Sequence, residues 1–456
     1  MKRWRVWVLL ALLLCVPILL SHSRNPDMLK DSDTAFLVKT IRERQAPLSW
    51  FAGDWPLGNH FYRPLPTLTF ELDNRLYGDK ASGYGWTNAI LCALCTLALF
   101  WFLAEVSTSP PWAFAGAALF TCWTVDLGAY FATPLYWAAG LLILVGLYRH
   151  SFKFRHYLPA CLVLCFLANE LTIPQMTISS LNQFMIGWLP GRTASVMTLF
   201  ALLAMATYSR YERSRDKWRP DPEPTATDLP ASPRAGKAAV PSYGWLWYGL
   251  TLLFVAAALA SYEQAVMLPG VLVGEAVFLR LKRRNPNWKA HIPFWLLLGG
   301  YFVLRHFLLP AGISQYQAQQ FRHGPGVWQD LASYILPNFT ALIFFWAGIV
   351  ESFWMIISPF TYSCFLGVAS TVATIVKARL NWQTILAGWA LSSLAFLPMA
   401  WVKQFGHYHY WPLALRTMLI LGVGNLAWKL VVIAASPPAL QAPARPSPAP
   451  GSLPRP

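Results

Sequence analysis

The chain has 456 residues, of which 56% are hydrophobic, 15% aromatic and only 12% charged, with 36 Lys and Arg against 20 Asp and Glu for a formal charge of +16. That composition excludes a soluble multidomain protein and a disordered one, and it points to an all-α polytopic bundle in a membrane. Nor is the charge a nucleic-acid footprint: the basic clusters at 2–5, 149–155, 210–237, 280–289 and 377–379 fall between apolar runs as cytoplasmic loops do.

About a dozen runs have the roughly 17–25 residues needed to cross a hydrocarbon core. Spans are expected at 4–21, 87–104, 112–129, 133–148, 157–173, 192–208, 243–261, 265–281, 292–309, 357–376, 384–401 and 412–434, a transmembrane domain over 1–435 with both termini cytoplasmic. The first run resembles a signal peptide, but Ser21-His22-Ser23 is a poor cleavage site and more spans follow, so it reads as a retained helix. The stretch 334–350 reads as re-entrant or interfacial, because a full crossing there would put Lys377 and Arg379 outside. The cytoplasmic linker 209–242 is too polar to order itself, and the Pro-rich tail 436–456 is expected to be disordered. Asn338-Phe339-Thr340 has the N-glycosylation pattern, relevant only in a eukaryotic secretory membrane. Seven cysteines give no disulfide framework, and Cys92 and Cys95, inside an apolar run, read as small buried hydrophobes.

The loop 23–86 is expected on the non-cytoplasmic side and carries eight of the twenty acidic residues. Within it, 34–44 reads as an amphipathic helix lying at the membrane surface, with Ala35, Phe36, Leu37, Val38 and Ile41 on its apolar face. Asp31 and Asp33 precede that helix. Asp33 is placed to cap it, and either acid can serve as a general base at the membrane surface.

Five short motifs follow in order. They are His60-Phe61-Tyr62-Arg63-Pro64-Leu65, Gly83-Tyr84-Gly85-Trp86-Thr87-Asn88, Trp188-Leu189-Pro190-Gly191-Arg192-Thr193, the segment from Ser261 through Tyr262-Glu263 to Pro269, and His407-Tyr408-His409-Tyr410-Trp411-Pro412. With the acidic pair ahead of them, the chain resembles the GT-C superfamily of polytopic membrane glycosyltransferases, in its protein O-mannosyltransferase-like branch. The likeness runs from about residue 28 to about residue 430. It departs from that pattern where Ser32 separates the acids, where Tyr262 stands in place of a Lys, and where His407 stands in place of an Arg.

The resemblance implies inverting transfer of a sugar from a polyprenyl-phosphate donor to a protein or glycolipid acceptor. The reaction would run on the non-cytoplasmic face of a membrane, here read as a bacterial inner membrane with the site facing the periplasm. Asp33 or Asp31 would activate the acceptor hydroxyl. Cations near the outer boundary would stabilise the departing phosphate: Arg63, Arg192, Arg305, His407 and Arg416, with Tyr62 and Glu263 beside them. No cofactor is fixed by the sequence; a divalent ion between the acids and the donor phosphate is compatible with it. No nucleotide-binding glycine loop appears, so a nucleotide-sugar donor is not expected. The rival readings are a flippase or transporter of a lipid-linked saccharide, and a non-catalytic protein of the same fold.

Overall fold

The computed structural model describes residues 2–148 apart from 45 and 108, scattered positions in 161–171, then 180–216, 244–321 apart from 283 and 284, 327–328, and 382–435 apart from 404. Among these, every regular element is helical, and an isolated bridge joins Phe321 to Val402. The expected segments at 334–350 and 357–376, the Asn338–Thr340 pattern, the tail and much of 157–173 lie outside the described residues.

The N-terminal run forms α1 (Lys2–Leu13) and α2 (Cys15–Leu20). They part at Leu14 because Pro17 has no amide hydrogen, and its ring presses on the turn before it. In the loop that follows, α3 (Ser32–Arg44) buries Thr34, Leu37, Val38 and Ile41, the spacing of one helix face. A further helix, α4 (Pro64–Tyr77), was not expected from the sequence. Pro64 opens it, where a missing amide hydrogen costs nothing, and Gly78 at φ 57° ends it. Its buried face carries Thr67, Glu71 and Asp73 beside Phe70, while Leu72 and Leu76 are exposed. Hydrophobic periodicity is therefore inverted there. Met28, Leu37, Ile41, Trp50, Trp55, Phe70 and Tyr84 give this loop its own apolar core.

The bundle proper comprises α5 (Ala81–Ser107), α6 (Pro110–Thr124), α7 (Gly128–Tyr148), α8 (Arg192–Asp216), α9 (Gly244–Leu259), α10 (Leu268–Leu281) and α11 (Ile292–Leu308). The short α12 (Gln315–Gln320) precedes a closing pair, α13 (Trp382–Phe396) and α14 (Tyr410–Ala435). Among the described residues, four helical stretches are long and apolar enough to cross a membrane: Ala81–Ser107, Leu189–Arg215, Glu263–Leu281 and Trp382–Trp401. Trp4–Leu20 and Gly244–Leu259 are shorter apolar helices.

Helix α8 sits at the centre, packed against α5 and α9. Ala194, Ser195, Thr198, Ala201 and Ala204 are all buried on it, and small side chains of this kind let neighbouring backbones approach. It also extends through Ser209 to Asp216, so the linker begins later than the expected 209. The polar end is held by ion pairs: Arg213 Nη1 lies 2.9 Å from Glu105 Oε2, and Arg215 Nη1 lies 2.9 Å from Glu212 Oε2. Helices α13 and α14 meet closely at Gly388, where any Cβ would overlap the Leu419 amide nitrogen. Cys92 and Cys95 are fully buried and carry no disulfide.

Candidate functional site

The site forms where the 23–86 loop folds back onto one end of the bundle. Asp54 shapes a tight turn by accepting hydrogen bonds from the amides of His60 and Phe61, each at 2.9 Å. Gly58 and His60 both take left-handed backbone conformations, φ 67° and 60°, an unusual demand on a histidine. The turn is clamped from the bundle side. Arg305 Nη2 and Gln317 Nε2 each donate to the His60 carbonyl at 3.2 Å, and Ser314 Oγ donates to the Asn59 carbonyl at 3.0 Å. Ser314 also forms a reciprocal capping box with Gln317, which starts α12 at this point.

Arg63 leaves the turn at the start of α4 and meets Glu263, just ahead of α10. Its Nε lies 2.9 Å and its Nη2 2.6 Å from Glu263 Oε2, with Oε1 at 3.2 Å from Nε. The guanidinium lies over the rings of Phe61 at 4.2 Å and Tyr262 at 4.5 Å. A backbone bond from the Leu65 amide to the Ala260 carbonyl, 3.3 Å, runs alongside. Tyr262 shares a 3.3 Å hydrogen bond with His407 Nε2, and His407 in turn packs against Trp188, 5.3 Å between ring centres. Trp188 Nε1 donates to Asp31 Oδ2 at 3.1 Å. Residues from four of the sequence motifs are thus in contact.

These groups enclose a cavity of about 350 Å³. Asp33, Arg63, Glu263, Arg305 and His407 line it, with aromatic walls from Trp55, Phe61, Trp188, Tyr316, Phe405 and Tyr408. Its charged groups are two acids and two arginines, one of each already joined in the Arg63–Glu263 pair. Asp33 accepts no hydrogen bond and joins no ion pair among the described residues. Partial burial, and then the neighbouring Asp31 carboxylate, hold its carboxyl above the usual aspartate range. Arg305 has no carboxylate partner among the described residues. Burial, with Arg63 and His409 close by, lowers His407 to about 3, so its imidazole is neutral at physiological pH.

Four expected site residues fall elsewhere. Helix α3 begins at Ser32, so the capping position belongs to Asp31 rather than Asp33. Asp31 Oδ2 accepts from Trp188 and from Thr34 Oγ1, and its carboxylate is thereby committed. Tyr62 points beneath the site, donating to the Phe51 carbonyl at 3.2 Å with its ring against Tyr301. Arg192 is fully buried: Nη2 sits 2.6 Å from Asp73 Oδ2 and Nε donates to Asn88 Oδ1 at 2.6 Å, which ties α8 to α4 and α5. Arg416 is likewise enclosed with Glu170, at 2.8 and 3.1 Å. Both arginines are spent on buried acids and do not line the cavity. Conversely, Trp55, Asn59, Tyr316, Gln317 and Gln320 do line it and were not anticipated.

No three His, Cys, Asp or Glu side chains cluster as metal ligands among the described residues. Asp33 alone, completed by phosphate oxygens and water, would suit a magnesium-like ion, which typically takes one or two carboxylates together with substrate phosphates.

Alongside lies a second, predominantly apolar groove of about 550 Å³ between α9 and α11. Tyr301 and Leu304 line this groove, while Phe302 and Arg305 line the polar cavity, so one turn of α11 serves both. No family model matches this chain, no curated protein is recognisably similar to it in sequence, and no solved structure matches its fold.

Proposed function

We propose that the chain is a multi-pass membrane glycosyltransferase of the GT-C type. It moves a sugar from a polyprenyl-phosphate donor to a protein or glycolipid acceptor on the non-cytoplasmic face. The observation that carries this reading is the placing in one cavity, beside an apolar groove, of an acid, Asp33, and a cation, Arg305, neither of which has an ion-pair partner among the described residues. An amphiphilic phosphate donor needs that combination. Its isoprenyl chain is apolar and suits the groove, while its phosphate carries negative charge and suits Arg305.

The acceptor hydroxyl needs a base in its ionised form, and Asp33 supplies one. In the displacement, Asp33 takes the acceptor proton as the acceptor oxygen bonds to the anomeric carbon. The bond from that carbon to the phosphate oxygen breaks, and the electron pair leaves with the isoprenyl phosphate. Arg305 stabilises the charge gathering on that leaving group. Arg63 is neutralised by Glu263 and holds the wall rather than the phosphate.

The test is transfer in membranes supplied with a lipid-linked sugar. Asp33→Asn should lower turnover by about 10²–10⁴-fold, the contribution typical of a positioned base. Full transfer by that variant would remove Asp33 from the role. Movement of labelled lipid across vesicles without a new covalent product would favour a flippase instead.

A further inference from the structure

A further groove, of about 480 Å³, opens between α6, α7 and α14, and it shares no residue with the cavity or with the groove between α9 and α11. Helix α14 starts beside the cavity residue Tyr408, whereas α6 turns back from the far end of α5, so the two run antiparallel. The groove follows α6 from Leu119 to Pro111 and α14 from Ile420 to Trp428, with Leu135 of α7 at its side. Its mouth, between Trp112 and Trp428, therefore lies at the end of the bundle away from the cavity. From Tyr410 to Trp428 is about 27 Å of helix, which nearly spans a hydrocarbon core of about 30 Å. The ion pairs of Glu105 with Arg210 and Arg213 mark the same end.

Two polar side chains accompany these apolar walls. Asn425 lines the groove, and the half-buried Lys429 lies one turn further along the same side of α14. Neither has a hydrogen-bond or ion-pair partner among the described residues. No Asp or Glu occurs in α6, α7 or α14.

We propose that the groove seats one anionic phospholipid of the leaflet opposite the cavity, with an acyl chain along its length and the headgroup phosphate at Lys429. Such a seat needs a bilayer around the chain and is independent of sugar transfer.

Length selects the occupant. Each of the two long walls runs for about 12 Å, close to the roughly 15 Å of one leaflet's hydrocarbon, which suits an acyl chain. A partner helix crossing the membrane would pack along about twice that distance. Order selects it too. Towards the mouth the walls change from leucine to amide, indole and amine, as a phospholipid changes from chain to ester and phosphate. Tryptophan settles at headgroup level, and a lysine stem lies along apolar surface while its amine reaches water. The Asn425 amide can donate to an ester carbonyl. Charge favours an anionic headgroup over a zwitterionic one, because no acid on the three helices offsets Lys429. Exposed Arg5 adds to the positive field from α1, which packs on α6 through Trp7 and Phe114, 5.6 Å between ring centres.

The test uses the full chain in detergent, titrated with phosphatidylglycerol or phosphatidylcholine of identical acyl chains, with bound lipid counted by native mass spectrometry. The first phosphatidylglycerol should bind about 5-fold more tightly than the first phosphatidylcholine, the effect of one lysine beside an anionic lipid. Lys429→Gln should erase that preference and Lys429→Arg should keep it. Arg280→Gln removes the same charge from an exposed position outside the groove and should leave the preference intact. Gly424→Leu and Ala115→Leu each place a side chain in the groove and should weaken both lipids several-fold. A Cβ on Gly424 meets nothing within 4 Å, and a melting scan of each variant certifies its fold.

Persistence of the preference in Lys429→Gln, or its equal loss in Arg280→Gln, overturns the assignment. So does unchanged lipid binding in both plugged variants at native melting temperatures. Displacement of phosphatidylglycerol by a short isoprenyl phosphate would overturn it in favour of an isoprenoid. A dimer that Gly424→Leu converts to monomer without changing the lipid count would overturn it in favour of a second copy of the chain.

Discussion

Arg63 and Glu263 lie 200 positions apart in the chain and meet through a guanidinium–carboxylate contact as short as 2.6 Å. The contact fastens the folded 23–86 loop to the entry of α10 and forms one wall of the cavity. Neither side chain is fully enclosed, at 12% and 16% exposure, so the pair is worth less than a deeply buried one. A double-mutant cycle with Arg63→Ala and Glu263→Ala, read by thermal unfolding in detergent, should give a coupling of about 1–3 kcal/mol. Additive effects would mean that the wall stands without this contact.

Arg192 and Arg305 should behave in opposite ways. Removing one charge from the enclosed Arg192–Asp73 pair, as in Asp73→Asn, leaves a bare buried charge and should cost about 3–5 kcal/mol of stability. Arg305→Gln gives up one hydrogen bond to the His60 carbonyl and should cost far less, about 1 kcal/mol. It should also weaken binding of a short isoprenyl phosphate by about 10–100-fold, the loss of one charged hydrogen bond. A melting scan and a binding isotherm on each variant separate the two roles.

The acid limb of the transfer rate reports Asp33. Its carboxyl is held above the usual range by partial burial and by Asp31, and the base must be ionised, so activity should fall as pH drops through that raised value. Asp31→Asn removes the nearby negative charge. Asp33 then ionises more readily, and the limb should move to lower pH. A limb that stays in place, or moves to higher pH, would count against electrostatic coupling of the two acids.

The closing hairpin offers a purely steric prediction. At Gly388 a methyl group would run into the Leu419 backbone, which has no side-chain freedom with which to yield. Gly388→Ala should therefore force α13 and α14 apart and cost about 1–3 kcal/mol, measured as a lowered unfolding temperature. Gly424→Ala on α14, where a Cβ meets nothing within 4 Å, is the matched control.

Much of the helical architecture was legible in the sequence because long apolar runs carry a strong signal. The expected 87–104 and 243–261 lie close to Ala81–Ser107 and Gly244–Leu259. Asp33, Arg63, Glu263 and His407 were named from the acidic pair and the short motifs and Arg305 from its place at an apolar boundary, and they line one cavity. Arg192 shows what sequence could not supply. An arginine near an apolar boundary reads alike whether it faces a ligand or a buried acid, and its acid sits on α4, whose polar residues face inward and defeat a periodicity search. Asp31 and Asp33 were likewise indistinguishable until the first turn of α3 was located. Some signal for the far wall was present, since Ser314 followed three residues later by Gln317 is a helix-starting pattern beside three more polar residues. Asn59 and Gln320 carried no such mark.

The turn at residues 54–63 has a consequence for how such a protein changes over time. Its His60 carbonyl is gripped by α11 and by α12, and the cavity wall continues to Tyr408 near the start of α14. No contiguous stretch of chain contains the site, so it cannot be cut out and moved to another scaffold as a cassette. New preferences must arise by single replacements along walls that distant helices hold fixed, and a lineage can alter what this pocket accepts while keeping every helix where it is.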